Sequence, residues 1–195
     1  MAVQLIDICK SYGDNQVLDR VSLTFPAGEV TCIMGASGIG KTTLVGIIAG
    51  LVQADSGEVR GISGKKVSLV FQEDRLLEWE TALSNVLFVT KHARKHQERA
   101  RDLLTRAGLG DSLNKRASEL SGGMKRRVCL CRALIAEYDI LLLDEPFKGL
   151  DNKLKPVIMD LVLDEFKSAE GKTLICITHD PSEAEYLGGG DMVRL

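Results

Sequence analysis

Hydrophobic and polar residues alternate along the first third of the chain, as they do in strands with one buried face. The alternation predicts strands over residues 3–8, 21–25 and 30–34. Turn-forming residues separate these segments at residues 12–13 and 26–28. We therefore predict that the N-terminal third of the chain is made of β-strands.

The spacing of apolar residues then becomes helical. A helix is predicted from Lys41 to a terminating Gly50, and a largely helical stretch over residues 81–108 also ends at a glycine. Residues 66–71 predict one more strand between them. The stretch 81–108 is the best candidate for a helical subdomain inserted into the fold.

Two nearly continuous apolar runs, at residues 139–144 and 172–178, are typical of strands buried on both faces of a parallel sheet. The segment between them, residues 152–171, predicts an amphipathic helix, in which Pro156 fits only in the first turn or two. Strands that alternate with helices indicate an α/β core.

The composition narrows the classes of function. The chain has 195 residues, 45% of them hydrophobic, and a formal charge of −2, so we expect one globular domain without a basic nucleic-acid or membrane surface. No apolar run approaches the roughly 18 residues of a membrane span, and no apolar segment follows a basic start. We therefore expect a soluble, cytoplasmic protein.

Two residue pairs that suggest metal binding have simpler explanations. The chain has five cysteines, an odd number that suits a reducing compartment, and Cys129 and Cys131 are two apart on a predicted helix and cannot share a face. His92 and His96 lie among lysines and arginines, which favours a solvated basic face.

A glycine-rich loop, GASGIGKTT at residues 35–43, follows a predicted strand and opens a helix. Such a loop points its backbone N–H groups inward and adds the positive end of a helix, which makes a phosphate site. Lys41 is expected to reach the β- and γ-phosphates of ATP, and the Thr42 hydroxyl to bind Mg²⁺. An ordinary turn is disfavoured, because a chance match occurs in about one chain in a hundred of this composition. The predicted nucleotide-binding set here is Gly35, Ala36, Ser37, Gly38, Ile39, Gly40, Lys41, Thr42 and Thr43.

The apolar run at residues 140–143 ends in two adjacent carboxylates, at the strand edge where ligands bind in open α/β sheets. Asp144 is predicted to hold Mg²⁺, directly or through water, and Glu145 to polarise an attacking water. The alternative, an acidic pair before a helix, does not explain the matching glycine loop. His179 ends the next apolar run and is expected near the same crevice, to sense the γ-phosphate.

A second glycine-rich helix start lies at Ser121, Gly122 and Gly123. Ser121 is predicted as the N-cap and as a hydroxyl donor, and the glycines permit close approach of a phosphate. The chain thus has two γ-phosphate sites for one nucleotide. Either both converge on the same ATP, or two copies face each other head to tail.

Four motifs in this order resemble those of ABC-type ATPases. GASGIGKTT is similar to the Walker A loop, LSGGMKRRV to the signature, LLLDEPFKGLD to the Walker B motif with its D-loop, and ITHD to the switch histidine. The resemblance covers essentially the whole chain. It implies an α/β P-loop NTPase core with a parallel sheet, an N-terminal antiparallel β subdomain, and an α-helical subdomain inserted at about residues 76–137 of a single domain over residues 1–195. It also implies a head-to-tail homodimer that encloses two ATP.

The resemblance assigns roles to further residues. Tyr12 matches the aromatic residue that stacks on adenine, Gln72 the Q-loop glutamine that touches Mg²⁺ or the attacking water, and Asp151 the D-loop aspartate that communicates across the dimer. In this family, the region that holds Leu76, Leu77 and Trp79 forms a groove for a coupling helix of the membrane subunit; ordinary packing between subdomains is the alternative.

Within the family, FQEDRLLEWETALSNV and Met124 are similar to the ATPase subunits of nitrate, sulfonate and taurine importers, whereas Ile39 and Lys148 depart from the usual pattern. This implies an ATP-hydrolysing subunit on the inner face of the membrane, whose partners are a permease and, indirectly, a solute-binding protein. The end of the sequence at MVRL suggests no C-terminal regulatory domain. The alternatives are an ABC ATPase that acts on DNA or the ribosome, or a regulatory module with little turnover. Nucleic acid is not an expected partner, since the span from Lys41 to Ser121 has no room for a long coiled coil.

Overall fold

The computed structural model describes residues 2–168, 171–188 and 192–195. The chain divides into two compact units. The first unit comprises Met1–Leu69, Tyr138–Glu145 and Ala169–Leu195, and the second comprises Val70–Glu137 and Pro146–Ser168. The single domain over 1–195 and a helical subdomain at about 76–137 stay predictions.

The described residues form two β-sheets and six α-helices. In chain order the strands are β1 (Val3–Tyr12), β2 (Asn15–Phe25), β3 (Val30–Met34), β4 (Ser56–Arg60), β5 (Val67–Val70), β6 (Ile140–Asp144), β7 (Thr173–Ile177) and β8 (Met192–Arg194). The helices are α1 (Lys41–Ile48), α2 (Ala82–Leu87), α3 (Ala93–Arg106), α4 (Gly122–Ile135), α5 (Leu154–Lys167) and α6 (Pro181–Gly188).

The antiparallel sheet has three strands in the order β2-β1-β4. β1 and β2 pair from Val3 opposite Phe25 to Tyr12 opposite Asn15, a longer hairpin than the alternation predicted. Of the extra residues near the turn only Leu18 is buried, so the hydrophobic signal there is weak. β4 escaped prediction for the same reason, because Val59 is its one residue that is even half-buried.

The second sheet has five strands in the order β5-β6-β7-β3-β8, and the β6–β7, β7–β3 and β3–β8 pairs run parallel. All five residues of β6 and all five of β7 are buried, which confirms the prediction of strands covered on both faces. Leu44 and Ile48 of α1 belong to the same buried cluster as Ile33, Leu142 and Ile175 of the sheet. The predicted α/β fold with a parallel and an antiparallel sheet is therefore confirmed.

Helix α1 ends as predicted. The Gly50 N–H donates to the Ile47 carbonyl at 3.0 Å, and the Leu51 N–H to the Gly46 carbonyl at 2.8 Å. Gly50 has a φ of 70°, so this is a Schellman ending, in which a left-handed glycine satisfies the last helical carbonyls.

The stretch predicted as largely helical over residues 81–108 consists of two helices, α2 and α3. Thr90 interrupts them, since both its N–H (2.9 Å) and its hydroxyl (2.8 Å) donate to the Leu87 carbonyl. A side chain that competes in this way for a backbone acceptor favours a turn over a continued helix. Pro156 is the third residue of α5, in the first turn as predicted.

Candidate nucleotide site

The glycine-rich loop connects β3 to α1. Gly40 is the N-cap of α1 with a φ of 106°, and no side chain caps this helix. A Cβ atom at Gly40 would lie 2.8 Å from both Leu18 Cδ2 and Val17 Cγ1, so only glycine fits the position. Ala36 to Ile39 are exposed, which leaves the outer face of the loop accessible.

Lys41 lies beneath this loop rather than in solvent. Its side chain is buried, and its Nζ donates to the Gly35 and Ala36 carbonyls, each at 2.8 Å. A buried ammonium needs such acceptors, because loss of hydration is costly. The charge is thereby held within the loop, at the place where an anion would sit.

Thr42 and Asp144 meet at the start of α1 and the end of β6. The Thr42 hydroxyl donates to Asp144 Oδ2 at 2.8 Å, and the Asp144 side chain is buried. A hydroxyl and a carboxylate are the hard oxygen ligands that Mg²⁺ prefers. The structure thus brings together two of the three residues predicted to bind metal.

Glu145 directly follows β6 and has an unusual backbone. Its φ of 47° lies in the left-handed region, a costly conformation for a residue with a Cβ, and such strain clusters at functional sites. The Glu145 N–H donates to the Ile177 carbonyl at 3.0 Å. Its Oε1 lies 3.4 Å from Nδ1 of His179, which follows β7. The predicted meeting of Glu145 and His179 at one strand edge is therefore observed.

The residues on either side of His179 make contacts that the sequence analysis did not predict. On one side of it, the buried Thr178 hydroxyl donates to Glu183 Oε2 of α6 at 2.5 Å and accepts from the Asp180 N–H at 3.1 Å. Asp180 in turn accepts from the Ser182 N–H at 2.9 Å. Helix α6 was not predicted, and a threonine five residues before a glutamate is too common a pattern to reveal this contact.

Tyr12 lies at the turn of the β1–β2 hairpin, with 52% of its surface exposed. The Lys10 Nζ lies 5.4 Å from the centre of its ring and 2.6 Å from Asp55 Oδ1. Asp55 also accepts from the Ser11 N–H at 2.7 Å. These two partners, Lys10 first, lower the pKa of Asp55. The ring therefore offers an accessible face on a braced hairpin.

The second glycine-rich helix start lies in the second unit. Ser121 is the N-cap of α4, as predicted, and its Oγ accepts from the Met124 N–H at 3.3 Å. A Cβ at Gly122 would meet no atom within 4 Å, whereas one at Gly123 would lie 3.3 Å from the Gly149 carbonyl oxygen. Ser121 and Gly122 are exposed, so this helix start is open to a ligand.

The other predicted residues of the second unit occupy loops. The Gln72 side chain is exposed directly after β5, and Asp151 Oδ1 accepts from the Lys153 N–H at 2.7 Å ahead of α5. Trp79 is 71% exposed, whereas Leu76 and Leu77 are half-buried.

The cysteines form no metal site. Burial raises the pKa of both Cys129 and Cys131 to about 12, and the Cys129 Sγ donates to the Asp74 carbonyl at 2.7 Å. Cys32 and Cys176 are also buried, and Cys9 is half-buried. Among residues 2–168, 171–188 and 192–195, no cluster of histidine, cysteine and carboxylate side chains could hold a metal ion. His92 is exposed and His96 half-buried on α3.

The glycine loop with its buried lysine, and the Thr42–Asp144 and Glu145–His179 pairs beside it, define a P-loop nucleoside triphosphatase. The family model of the ABC transporter matches residues 18–148. The chain belongs to this family and is an ATPase, as the motifs predicted.

Relatives and solved structures agree. The chain is 43% identical over 191 residues to the aliphatic sulfonates import ATP-binding protein SsuB 1 of Rhodococcus jostii, covering 96% of this chain and 76% of that one. It is 44% identical over 179 residues to the aliphatic sulfonates import ATP-binding protein SsuB of Corynebacterium glutamicum, covering 90% and 72%. The dimeric structure of a bacterial ABC transporter cassette superimposes with a TM-score of 0.87 at 31% identity, covering 99% and 94%. A dimeric post-hydrolysis state of that cassette, bound to ADP and phosphate, gives the same TM-score at 32% identity and the same coverage.

No helix in the described part of the chain has the length and apolar character to cross a bilayer.

Proposed function

We propose that this chain hydrolyses MgATP between two copies arranged head to tail, and that the cycle drives a membrane permease that imports an aliphatic sulfonate or a similar small solute. The observation that carries the proposal is the arrangement in the first unit, where the Thr42–Asp144 hydrogen bond and the Glu145–His179 pair lie at the ends of β6 and β7 beside the glycine loop.

The nucleotide would be held by its two ends. The backbone N–H groups of residues 35–43 and the uncapped start of α1 would bind the phosphates, with Lys41 supplying a positive charge. Tyr12 would stack on the adenine ring, an interaction worth about 1–3 kcal/mol.

The residues present fit a magnesium ion. The Thr42 hydroxyl and the Asp144 carboxylate already meet over 2.8 Å, and both offer the oxygen ligands that Mg²⁺ prefers. When bound, Mg²⁺ supplies charge neutralisation to the β- and γ-phosphates. Thr42, Asp144 and Gln72 would hold it, and the aspartate would exchange its hydrogen bond to the threonine for the ion.

Glu145 would act as the general base for water. Its side chain is 15% exposed, and its left-handed backbone is fixed by the bond from its N–H to the Ile177 carbonyl. A base held in place in this way needs little rearrangement to reach its catalytic geometry. His179, at 3.4 Å, would orient the carboxylate and contact the γ-phosphate.

The second phosphate site supports the head-to-tail dimer. The Ser121 oxygen accepts from the Met124 N–H, so its proton is available to a phosphate oxygen, and Gly122 leaves the approach open. In the proposed dimer, Ser121, Gly122 and Gly123 of one copy close over the glycine loop of the other, and Asp151 communicates between the copies. The solved cassettes of the same fold are dimeric.

The names of the relatives support the transport role, because they are import ATP-binding proteins for aliphatic sulfonates. The permease would dock near Leu76, Leu77 and Trp79 on the inner face of the membrane, and the solute-binding protein would act through the permease. The exposure of Trp79 supports docking there rather than internal packing. Nucleic acid is not part of this proposal.

The test replaces the proposed base. Glu145→Gln keeps the shape of the side chain but removes its ability to take a proton, so phosphate release should fall by at least about a hundredfold. ATP binding should persist, and size-exclusion chromatography with light scattering should show a dimer that depends on ATP.

The matched control is Glu185→Gln on the exposed face of α6, which should leave turnover unchanged. Normal phosphate release by Glu145→Gln would remove Glu145 from the role of base. A wild-type chain that binds ATP without releasing phosphate would favour the regulatory module. Co-purification with ribosomes or DNA-bound proteins, and not with a permease from solubilised membranes, would remove the transport role.

A further inference from the structure

One face of α4 binds the backbone of the loop that holds Gln72. Arg126, Cys129 and Arg132 are spaced three residues apart, so their side chains share a face of the helix. All three donate hydrogen bonds to carbonyl oxygens within residues 71–75, which we call the Gln72 loop. These residues form no helix or strand, so their carbonyls have no regular backbone partners and accept from side chains of α4 instead.

Arg126 contacts both the start of this loop and the backbone at Pro146. Its Nη1 donates to the Phe71 carbonyl at 2.5 Å and to the Gln72 carbonyl at 3.4 Å. Its Nε donates to the Pro146 carbonyl at 3.2 Å. Pro146 follows Glu145 in the chain, so one guanidinium contacts the backbone at Gln72 and the backbone next to the proposed base.

Cys129 and Arg132 hold the far end of the Gln72 loop. The Cys129 thiol and the Arg132 Nη2 both donate to the Asp74 carbonyl, at 2.7 Å and 3.2 Å, and the Arg132 Nη1 donates to the Arg75 carbonyl at 2.9 Å. The Arg75 guanidinium in turn lies 3.9 Å from the ring centre of Phe71. The loop is thus fixed at both ends, and its exposed Gln72 side chain projects from a held backbone.

Burial of the Arg126 guanidinium at this position carries a large desolvation cost. Arg126 is 3% exposed, and its Nη1 lies 3.4 Å from Asp74 Oδ1. Burial of a guanidinium is tolerated only when its donors are satisfied, and the carbonyls of Phe71, Gln72 and Pro146 accept from it here. A side chain needed only to fill space would not require five N–H donors in a rigid plane.

We propose that Arg126 is a positioning residue for ATP hydrolysis, which fixes the backbone of the Gln72 loop and thereby sets where the Gln72 side chain projects. The Pro146 carbonyl is its second anchor. The inference rests on the proposed role of Gln72. It adds that α4, the helix that begins at Ser121, sets the placement of this glutamine through its own side chains.

The first test is Arg126→Lys, which keeps the charge but cannot donate from separate Nε and Nη1 positions. Phosphate release should show a kcat lowered about ten- to a hundredfold, because small misplacements in an active site have effects of this size. The KM for ATP should stay within about twofold, since the phosphates and adenine are held elsewhere. A change in KM with an unchanged kcat would overturn the inference.

Arg106→Lys is the matched control. Arg106 lies on α3 in the same unit and donates to Glu165 Oε1 at 2.7 Å and to Asp164 Oδ2 at 3.0 Å, with no bond to the Gln72 loop. Loss of this guanidinium should leave kcat within about twofold. An equal loss of kcat in both variants would mean that arginine replacement acts only through general destabilisation, and would overturn the inference.

A double-mutant cycle separates this inference from the role of Gln72. If Arg126 acts through Gln72, adding Arg126→Lys to Gln72→Ala should lower kcat by less than about twofold beyond Gln72→Ala alone. Additive losses would overturn the inference. If Gln72→Ala kept its full kcat, the proposed role of Gln72 would be wrong. If Gln72→Ala lowered kcat but Arg126→Lys did not, only the role of Arg126 would be wrong.

Hydrogen exchange of the nucleotide-free protein gives a readout that needs no turnover. Peptides covering residues 71–75 should exchange at least about tenfold faster in Arg126→Lys than in the wild type or Arg106→Lys, because local opening sets the exchange rate. Arg126→Gln, which retains one donor, replaces the lysine variant if that variant does not fold. Unchanged exchange in the folded variant would contradict the proposal.

Discussion

The two glycine-rich helix starts look alike in the sequence but are built differently. At α1 the N-cap is Gly40 in a left-handed conformation, and no side chain satisfies the first N–H groups. At α4 the N-cap is Ser121 in an extended conformation, and its oxygen accepts from the Met124 N–H. The first start thus has no side-chain cap, whereas the second satisfies one of its own donors with a side chain.

This difference suggests that the two helix starts have different roles in phosphate binding. A helix start that lacks an internal cap, with Lys41 buried beneath the preceding loop, is suited to hold phosphates tightly within one chain. A start that is already capped gains less from an anion, which suits the transient contact of a second copy. The variants below test these roles.

The largest effect is expected from Gly40→Ala. The new Cβ would contact Leu18 and Val17 at 2.8 Å, and alanine would also be strained at a φ of 106°. Strain and overpacking each cost about 1–3 kcal/mol, so the free energy of unfolding should fall by about 2–5 kcal/mol, together with loss of ATP binding. Denaturant unfolding and nucleotide titration measure the two effects.

Gly122→Ala is its counterpart at the other helix start, where a Cβ meets no atom within 4 Å. It should change the free energy of unfolding by less than about 0.5 kcal/mol. If both variants were equally stable, the tight packing at Gly40 would not be what distinguishes the two starts.

A smaller effect is expected from Ser121→Ala. Loss of the N-cap should cost about 1 kcal/mol of stability, and loss of the hydroxyl should lower turnover while ATP binding to the isolated chain persists. Thr81→Ala is the control, because Thr81 caps α2 in the same way, with its Oγ1 accepting from the Ser84 N–H at 3.0 Å. It should lose similar stability with unchanged turnover, and equal turnover losses would assign the effect of Ser121 to folding alone.

The smallest effect concerns the hairpin of the first unit. The pKa of Asp55 is lowered from its ordinary value of 3.8, chiefly by Lys10 and also by the Ser11 N–H. A lowered folded pKa gives stability that is present above the unfolded value and is lost as the pH falls through the folded one. Asp55→Asn should therefore lower the melting temperature slightly at pH 7, and this difference should shrink as the pH falls from the ordinary pKa of 3.8 through the lowered pKa of the folded state. A difference that persists in acid would assign the effect to lost hydrogen bonds rather than charge.

Sequence patterns predicted the buried elements well and the exposed ones poorly. β6 and β7 were predictable because each is a run of four apolar residues with a single polar residue at one end. β4 and α6 were not, since β4 is almost wholly exposed and α6 is only eight residues long. The break at Thr90 depends on a side-chain bond to the Leu87 carbonyl that residue spacing does not show.

The residues of the candidate site also differ in how well the sequence predicts them. Residues with specific local roles, such as Gly40 and Ser121, could be identified from the sequence because few residue types suit a left-handed N-cap or a side-chain N-cap. The role of Arg126 could not be identified in this way. Its partners lie 20 to 55 positions away and are backbone carbonyls, which every residue has, so no residue type marks them in the sequence. Contacts to the main chain are thus the least visible part of such a site.

The burial of the cysteines makes the chain convenient to label. Four of its five thiols are buried, so a maleimide dye should attach first at Cys9. Cys9 lies on β1 three residues before Tyr12, and its Sγ accepts from the Arg20 N–H at 3.2 Å. A fluorophore attached there would report on the hairpin that carries the proposed adenine-stacking ring, without any engineered mutation.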